Sequence, residues 1–182
     1  VMKEEIIIAG FGGQGVLSMG KILAYGGIMQ DQEVTWMPSY GPEMRGGTCN
    51  VCVILSDNKI SSPILSKYDT AIILNQQSMD KFESRVKPGG LLIYDPNGIT
   101  RHPERTDITV CKIAAVDEAA NLGNAKAYNM IVLGAFLKKK PIVTMENVLK
   151  GLKKSLPPRH HSLIPMNEEA INVGMNAVED IR

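Results

Sequence analysis

One junction constrains this chain more than any other. The apolar run Ile6-Ile7-Ile8-Ala9 passes directly into Gly10-Phe11-Gly12-Gly13-Gln14-Gly15, and then into Val16-Leu17-Ser18-Met19. Three consecutive β-branched residues read as a buried strand. The glycines supply a tight turn. Apolar residues at Val16, Leu17, Met19, Ile22, Leu23 and Ile28 then recur with helical spacing, although Gly20, Gly26 and Gly27 weaken the helix. A strand entering a helix through such a turn must bury one helix face on a sheet, which is the opening unit of an α/β domain.

The rest of the chain repeats that alternation. Strands are expected over 33–37, 48–55, 69–74, 91–94 and 108–113, and helices over 76–85, 114–120, 125–137, 145–156 and 165–180. Lys87-Pro88-Gly89-Gly90 is read as the stop of the 76–85 helix, with Asn124 and Thr144 as N-caps. The expected fold is a three-layer α/β/α domain with a mostly parallel, mixed sheet and a glycine-rich first βα loop. The strand over 48–55 follows its predecessor through a loop alone, so antiparallel pairing is expected there. With 182 residues and no linker, 1–182 reads as a single domain.

Composition narrows the function classes. Aromatic residues make up 5%, too few for a stacking platform for single-stranded nucleic acid. No apolar run reaches 18 residues, so neither a membrane span nor a membrane partner is expected. Lys3, Glu4 and Glu5 lead into a strand rather than a cleavage site, so no signal peptide is expected. Three cysteines, Cys49, Cys52 and Cys111, are an odd count that argues against a disulfide framework and for the cytoplasm.

Gly10–Gly15 fits G-x-G-x-x-G, which brings backbone and a helix N-terminus close to a pyrophosphate. Dinucleotide binding also needs an acid at the far end of the second strand to hold the ribose. Here Asp31 and Glu33 lie at its start, and Met37-Pro38 at its end. The alternatives are glycines that pack a helix on a strand, or a loop that meets another ligand or a partner. The segment Ser39–Thr48 packs Gly41, Pro42, Gly46 and Gly47 around Tyr40, Glu43 and Arg45. Arg45 offers a planar five-donor fork suited to phosphate or carboxylate, while a local Glu43–Arg45 surface pair is the plainer reading.

Cys49-x-x-Cys52 lies within a strand, where residues three apart face opposite sides, so these read as core thiols. Cys111 stands alone, and neither a zinc set nor a four-cysteine cluster is present in the sequence. His160-His161 and His102 read as surface residues. The stretch Lys138–His161 carries six Lys and one Arg against Glu146, a net +6 within a chain of +1. A solvated helix face is the preferred reading there, and an acidic partner the alternative. Asn129 falls within an apolar helix, and there it is a candidate to anchor a neighbouring loop. No nucleophile–base constellation is present, so neither catalytic nor metal-ligating residues are assigned.

Taken together, three segments resemble the γ subunit of 2-oxoacid:ferredoxin (acceptor) oxidoreductases. Gly10–Val16 resembles that family's G-x-G-G-Q-G-V opening, Tyr40–Gly47 its Y-G-P-E-M-R-G-G loop, and Gly123–Gly134 its G-N-x-x-x-x-N-M-x-x-x-G helix. A short chain without a fused ferredoxin segment is most similar to the 2-oxoglutarate branch. The resemblance implies α and β partner subunits holding thiamine diphosphate and iron–sulfur clusters, a possible ferredoxin-like δ partner, and transfer of an acyl group to coenzyme A. It also implies that Gly10, Gly12, Gly13, Gln14, Gly15, Tyr40, Gly41, Pro42, Glu43, Arg45, Gly46, Gly47 and Asn129 gather at one surface facing coenzyme A or a partner. A stand-alone nucleotide-binding oxidoreductase and a non-catalytic interaction module are the competing readings.

Overall fold

Ile6 to Ala9 form the fully buried middle of strand β1 (Lys3–Phe11). The structure is a computed structural model and describes residues 2–39 and 48–182. The other elements are α1 (Val16–Met29), β2 (Glu33–Ser39), β3 (Thr48–Ser56), β4 (Tyr68–Ile73), α2 (Gln76–Phe82), β5 (Val86–Tyr94), β6 (Thr109–Lys112), α3 (Ala115–Asn121), α4 (Tyr128–Lys139), α5 (Met145–Ser155), α6 (Ile164–Ala177) and β7 (Glu179–Asp180). Among the described residues the strands form one sheet in the order β2-β3-β1-β4-β5-β6-β7.

The sheet is mixed. β1, β4, β5 and β6 pair in parallel. β3 runs antiparallel to both of its neighbours, β1 and β2, as the Gly- and Pro-rich sequence between strands two and three led us to expect. Because β1 and β2 both oppose β3, they share a direction, and five of the seven strands run the same way.

Alternation along the strands splits the core in two. Ile6, Ile8, Val51, Val53, Ile72 and Ile93 meet α1, α3, α4, α5 and α6 on one face. Ile7, Ala9, Ala71, Ile73 and Leu92 meet Met79 and Phe82 of α2 on the other. The period-2 side-chain direction of strands produces this division. Cys49 falls on the first face and Cys52 on the second, as their spacing requires.

Two elements depart from expectation. Lys87-Pro88-Gly89-Gly90 does not only end a helix, because strand β5 begins at Val86 and contains all four residues. Opposite them the register slips, Tyr68 pairing with Val86 but Thr70 with Leu91, so the segment bulges out of the ladder. The final helix stops at Ala177 rather than continuing to Asp180. Glu179 and Asp180 instead pair with Lys112 and Cys111, and Lys139 holds Asp180 at 2.5 Å. The open edge of β6 captures the chain end, a tertiary effect that helical periodicity does not encode.

α4 and α6 pack backbone to backbone. An added Cβ on Gly134 would strike the Ile171 carbonyl, and one on Gly174 the Ile131 carbonyl. Gly174→Ala therefore forces the two helices apart. A destabilisation of about 1–3 kcal/mol is expected from overpacking at such a contact, measurable by urea unfolding.

Cys111 is buried against β7 and donates to the Asp180 carboxylate at 3.2 Å. Burial, with that hydrogen bond, pushes its thiol up to about 12 from 9.0. Burial also raises Cys49 and Cys52. The folded state thus holds Cys111 neutral. Its contribution to stability is complete below pH 9.0 and is lost as pH rises towards 12. Urea melts should show that alkaline loss, and a thiol reagent at neutral pH should label the native chain far more slowly than the unfolded one.

Candidate ligand- and partner-facing edge

The glycine loop ties itself to the sheet. Gln14 Oε1 accepts the Phe11 N–H at 2.5 Å, and Nε2 donates to the Leu74 carbonyl at 3.2 Å. One amide therefore spans the ends of β1 and β4 and lies over Gly10. In an open α/β sheet a ligand crevice forms where neighbouring connections diverge. Here the Gln14 side chain occupies that crevice.

Gly15 is the N-cap of α1, with φ 75°, a conformation that costs glycine nothing. Asn129 Nδ2 donates to the Gly15 carbonyl at 3.3 Å, so Asn129 does anchor a neighbouring loop. No side chain caps α1 and its first turn holds no acid. Gly12 and Gly13 remain exposed on the outside of the loop. The inner side of the loop is thus satisfied by its own chain, and the outer side is bare backbone beside a helix N-terminus.

The ribose corner of a dinucleotide site is absent in a second way. β3 stands between β1 and β2, so β2 never adjoins the glycine loop's strand. Glu33 aligns through Ser56 with Lys3, at the opposite end of β1 from Gly10. The acid lies on the wrong edge of the sheet, as its sequence position implied.

Tyr40, Gly41, Pro42, Glu43, Arg45, Gly46 and Gly47 lie outside the described residues. Of the flanking residues, Thr48 pairs with Phe11, and Ser39 reaches Ala9 through Asn50. Both therefore sit at the same end of β1 as Gly10–Gly15.

Two hollows flank Gly13 and Gln14. The larger, about 360 Å³, is apolar and lined by Val116, Ala119, Ala120 and Tyr128; the smaller, about 180 Å³, adds Lys126 and Asn129. Asp95 holds this corner together. Its Oδ1 accepts the Asn97 N–H at 2.9 Å, and Oδ2 the Val116 N–H at 3.3 Å. The Tyr128 hydroxyl is buried beside Asp95 without reaching hydrogen-bond geometry, and burial first, then that negative charge, pushes it well above an ordinary phenol. Sequence reading passed over Asp95, Val116, Lys126 and Tyr128 as lining residues. The signal available was Asp95-Pro96-Asn97-Gly98, a turn at the end of a strand of the same sheet edge.

Other sequence candidates are structural. His161 Nε2 lies 3.0 Å from the carbonyls of both Lys153 and Leu156, closing the end of α5. Within the basic stretch, Lys139, Lys140 and Lys150 pair with Asp180, Glu4 and Glu146. No helix among the described residues is long and apolar enough to cross a membrane.

Comparison with known proteins places this architecture. The family model described as pyruvate ferredoxin/flavodoxin oxidoreductase matches residues 5–177. The chain belongs to that family. Its similarity to ketoisovalerate oxidoreductase subunit VorA of Methanothermobacter thermautotrophicus is 38% identity over 73% of this chain. The chain matches only 28% of that relative's length. Against 2-oxoglutarate synthase subunit KorC of Methanocaldococcus jannaschii the identity is 34%, covering 86% of this chain and 85% of the relative. The crystal structure of a keto/oxoacid ferredoxin oxidoreductase γ subunit from Geobacter sulfurreducens superposes with a TM-score of 0.84 at 26% identity, covering 97% of both chains. This member of the oxidoreductase family thus has the γ-type fold.

Asn129→Ala removes the anchor of Gly15. A cost of about 1 kcal/mol is expected, with faster amide hydrogen exchange in the first turn of α1 as the direct readout.

Proposed function

We propose that this chain acts as the γ subunit of a 2-oxoacid:ferredoxin oxidoreductase, active only within its complex. The observation that carries this reading is the match along nearly the whole length of KorC, a chain named as a subunit of 2-oxoglutarate synthase. The reaction is oxidative decarboxylation of a 2-oxoacid, such as 2-oxoglutarate or pyruvate, to an acyl-CoA. In the family, thiamine diphosphate and iron–sulfur clusters in partner subunits supply the carbanion and electron-transfer chemistry. The proposed partners are the α and β subunits, with a ferredoxin-like δ subunit as a further member, and the proposed compartment is the cytoplasm.

This chain's own contribution is a shaped surface at the C-terminal edge of the sheet. Gln14 and Asn129 hold the loop so that Gly12 and Gly13 present backbone N–H groups at the uncapped start of α1. Such donors favour an anionic group, whether of coenzyme A or of a neighbouring subunit. The segment Tyr40–Gly47 is proposed to complete this surface, with Arg45 as its anion-binding fork.

Two measurements test the reading. Co-expression with the thiamine diphosphate subunits should yield a complex containing this chain, and the chain alone should show no turnover. Within that complex, Arg45→Ala should raise the KM for coenzyme A or loosen the assembly, with kcat less affected. A free monomer with its own oxidoreductase activity would contradict the proposal.

A further inference from the structure

Four residues at the β6 edge are held by charge and hydrogen bonds rather than by burial. Val178 caps α6 with extended backbone and turns the chain out of the helix. Glu179, Asp180, Ile181 and Arg182, which follow, are all exposed, Ile181 by 43%. Beside them Val110 and Cys111 of β6 are fully buried. Every fastening is polar. The Ile181 N–H donates to the Val110 carbonyl at 2.8 Å, and the Val110 N–H to the Arg182 carbonyl at 2.7 Å. Asp180 pairs with Lys139 at 2.5 Å and accepts from Cys111 Sγ at 3.2 Å, and Glu179 pairs with Lys112 at 3.4 Å. The Arg182 guanidinium donates to the carbonyls of Pro103 and Arg105.

We infer that residues 179–182 form a charge-held strap that opens on its own about Val178 and gates the β6 edge, with Cys111 behind it. No side chain of the strap is buried, so its release gives up little apolar contact. Segments with few buried apolar contacts open far more readily than the whole fold. Val178 is half-buried against the first core cluster, so it stays behind as the hinge and α6 keeps its place. The closed strap covers the outer edge of β6 with a short acidic strand, a device that keeps an edge from pairing with other strands. The open strap leaves the Val110 N–H without its partner and the Cys111 thiol without its cover. Both ion pairs reach solvent, with Asp180 and Glu179 each 65% exposed, so dissolved salt screens them. Ionic strength therefore sets how often the gate is open.

The test follows the full chain at neutral pH in two ways, by hydrogen exchange of the Val110 amide and by thiol labelling located by mass spectrometry. Exchange at Val110 and labelling at Cys111 should be almost insensitive to low urea, because opening the strap exposes little surface. Cys49, buried in the core on β3, should label only through global unfolding, with its full urea dependence. Raising the salt from about 0.02 M to about 0.5 M should speed both strap signals about threefold. Lys139→Gln, and Asp180→Asn, which keeps an acceptor for Cys111, should each have a similar effect at low salt. Lys153→Gln, at an exposed lysine with no ion pair among the described residues, should not. If Val110 and Cys111 share the urea dependence of Cys49, the strap has no opening of its own and the inference is wrong. If they open separately but neither salt nor the two variants change the rate, charge does not hold the strap, and the inference is overturned on that ground.

Discussion

The placement of β3 governs everything functional in this fold. β3 pairs antiparallel with β1 on one side and β2 on the other. That inserts a strand between β1 and β2 and moves β2 to the sheet edge. A dinucleotide fold needs the second strand beside the first, because the ribose acid must reach across from it. With that neighbour displaced, a glycine turn of the right spacing no longer makes a dinucleotide site. It becomes a rigid corner available for another purpose.

Gln14 and Asn129 make the corner rigid from within. Gln14 bridges the ends of β1 and β4, and Asn129 reaches from α4 to the start of α1. Three elements distant in sequence therefore converge on six residues of loop. The hydrogen bonds that a ligand would otherwise satisfy on the inner side are made by the protein itself. What the loop offers outward is bare backbone, two hollows, and a sheet end at which Ser39 and Thr48 also emerge. This arrangement is what supports the proposal that the corner is one wall of a site shared with partner subunits.

Much of this was legible in the sequence, and the reasons are local. The isoleucine run, the β-branched strand expected over 48–55, the Thr144 cap and the anchoring role of Asn129 each follow from side-chain chemistry acting over a few residues. The misplaced acid at Glu33 also read correctly, because strand direction fixes which end of the sheet a residue occupies. The departures are tertiary. The bulge at Lys87–Gly90 exists because Val86 has a partner in β4, and β7 exists because β6 leaves an open edge. The position of β3 between β1 and β2, and the use of Gln14 as a latch, depend on strand order. No periodicity in the chain encodes that order. The family resemblance supplied the role, and the structure supplied the reason why the glycine motif does not mean what its spacing suggests.

The most direct measurement of this account is a titration of the isolated wild-type chain with NADH, followed by nucleotide fluorescence. A crevice closed by Gln14 and a ribose corner displaced by β3 predict no saturable binding. Saturable binding that disappears when Gly13 is replaced by valine would show that the loop clasps a dinucleotide after all, and would contradict the reading of the corner as a shared wall.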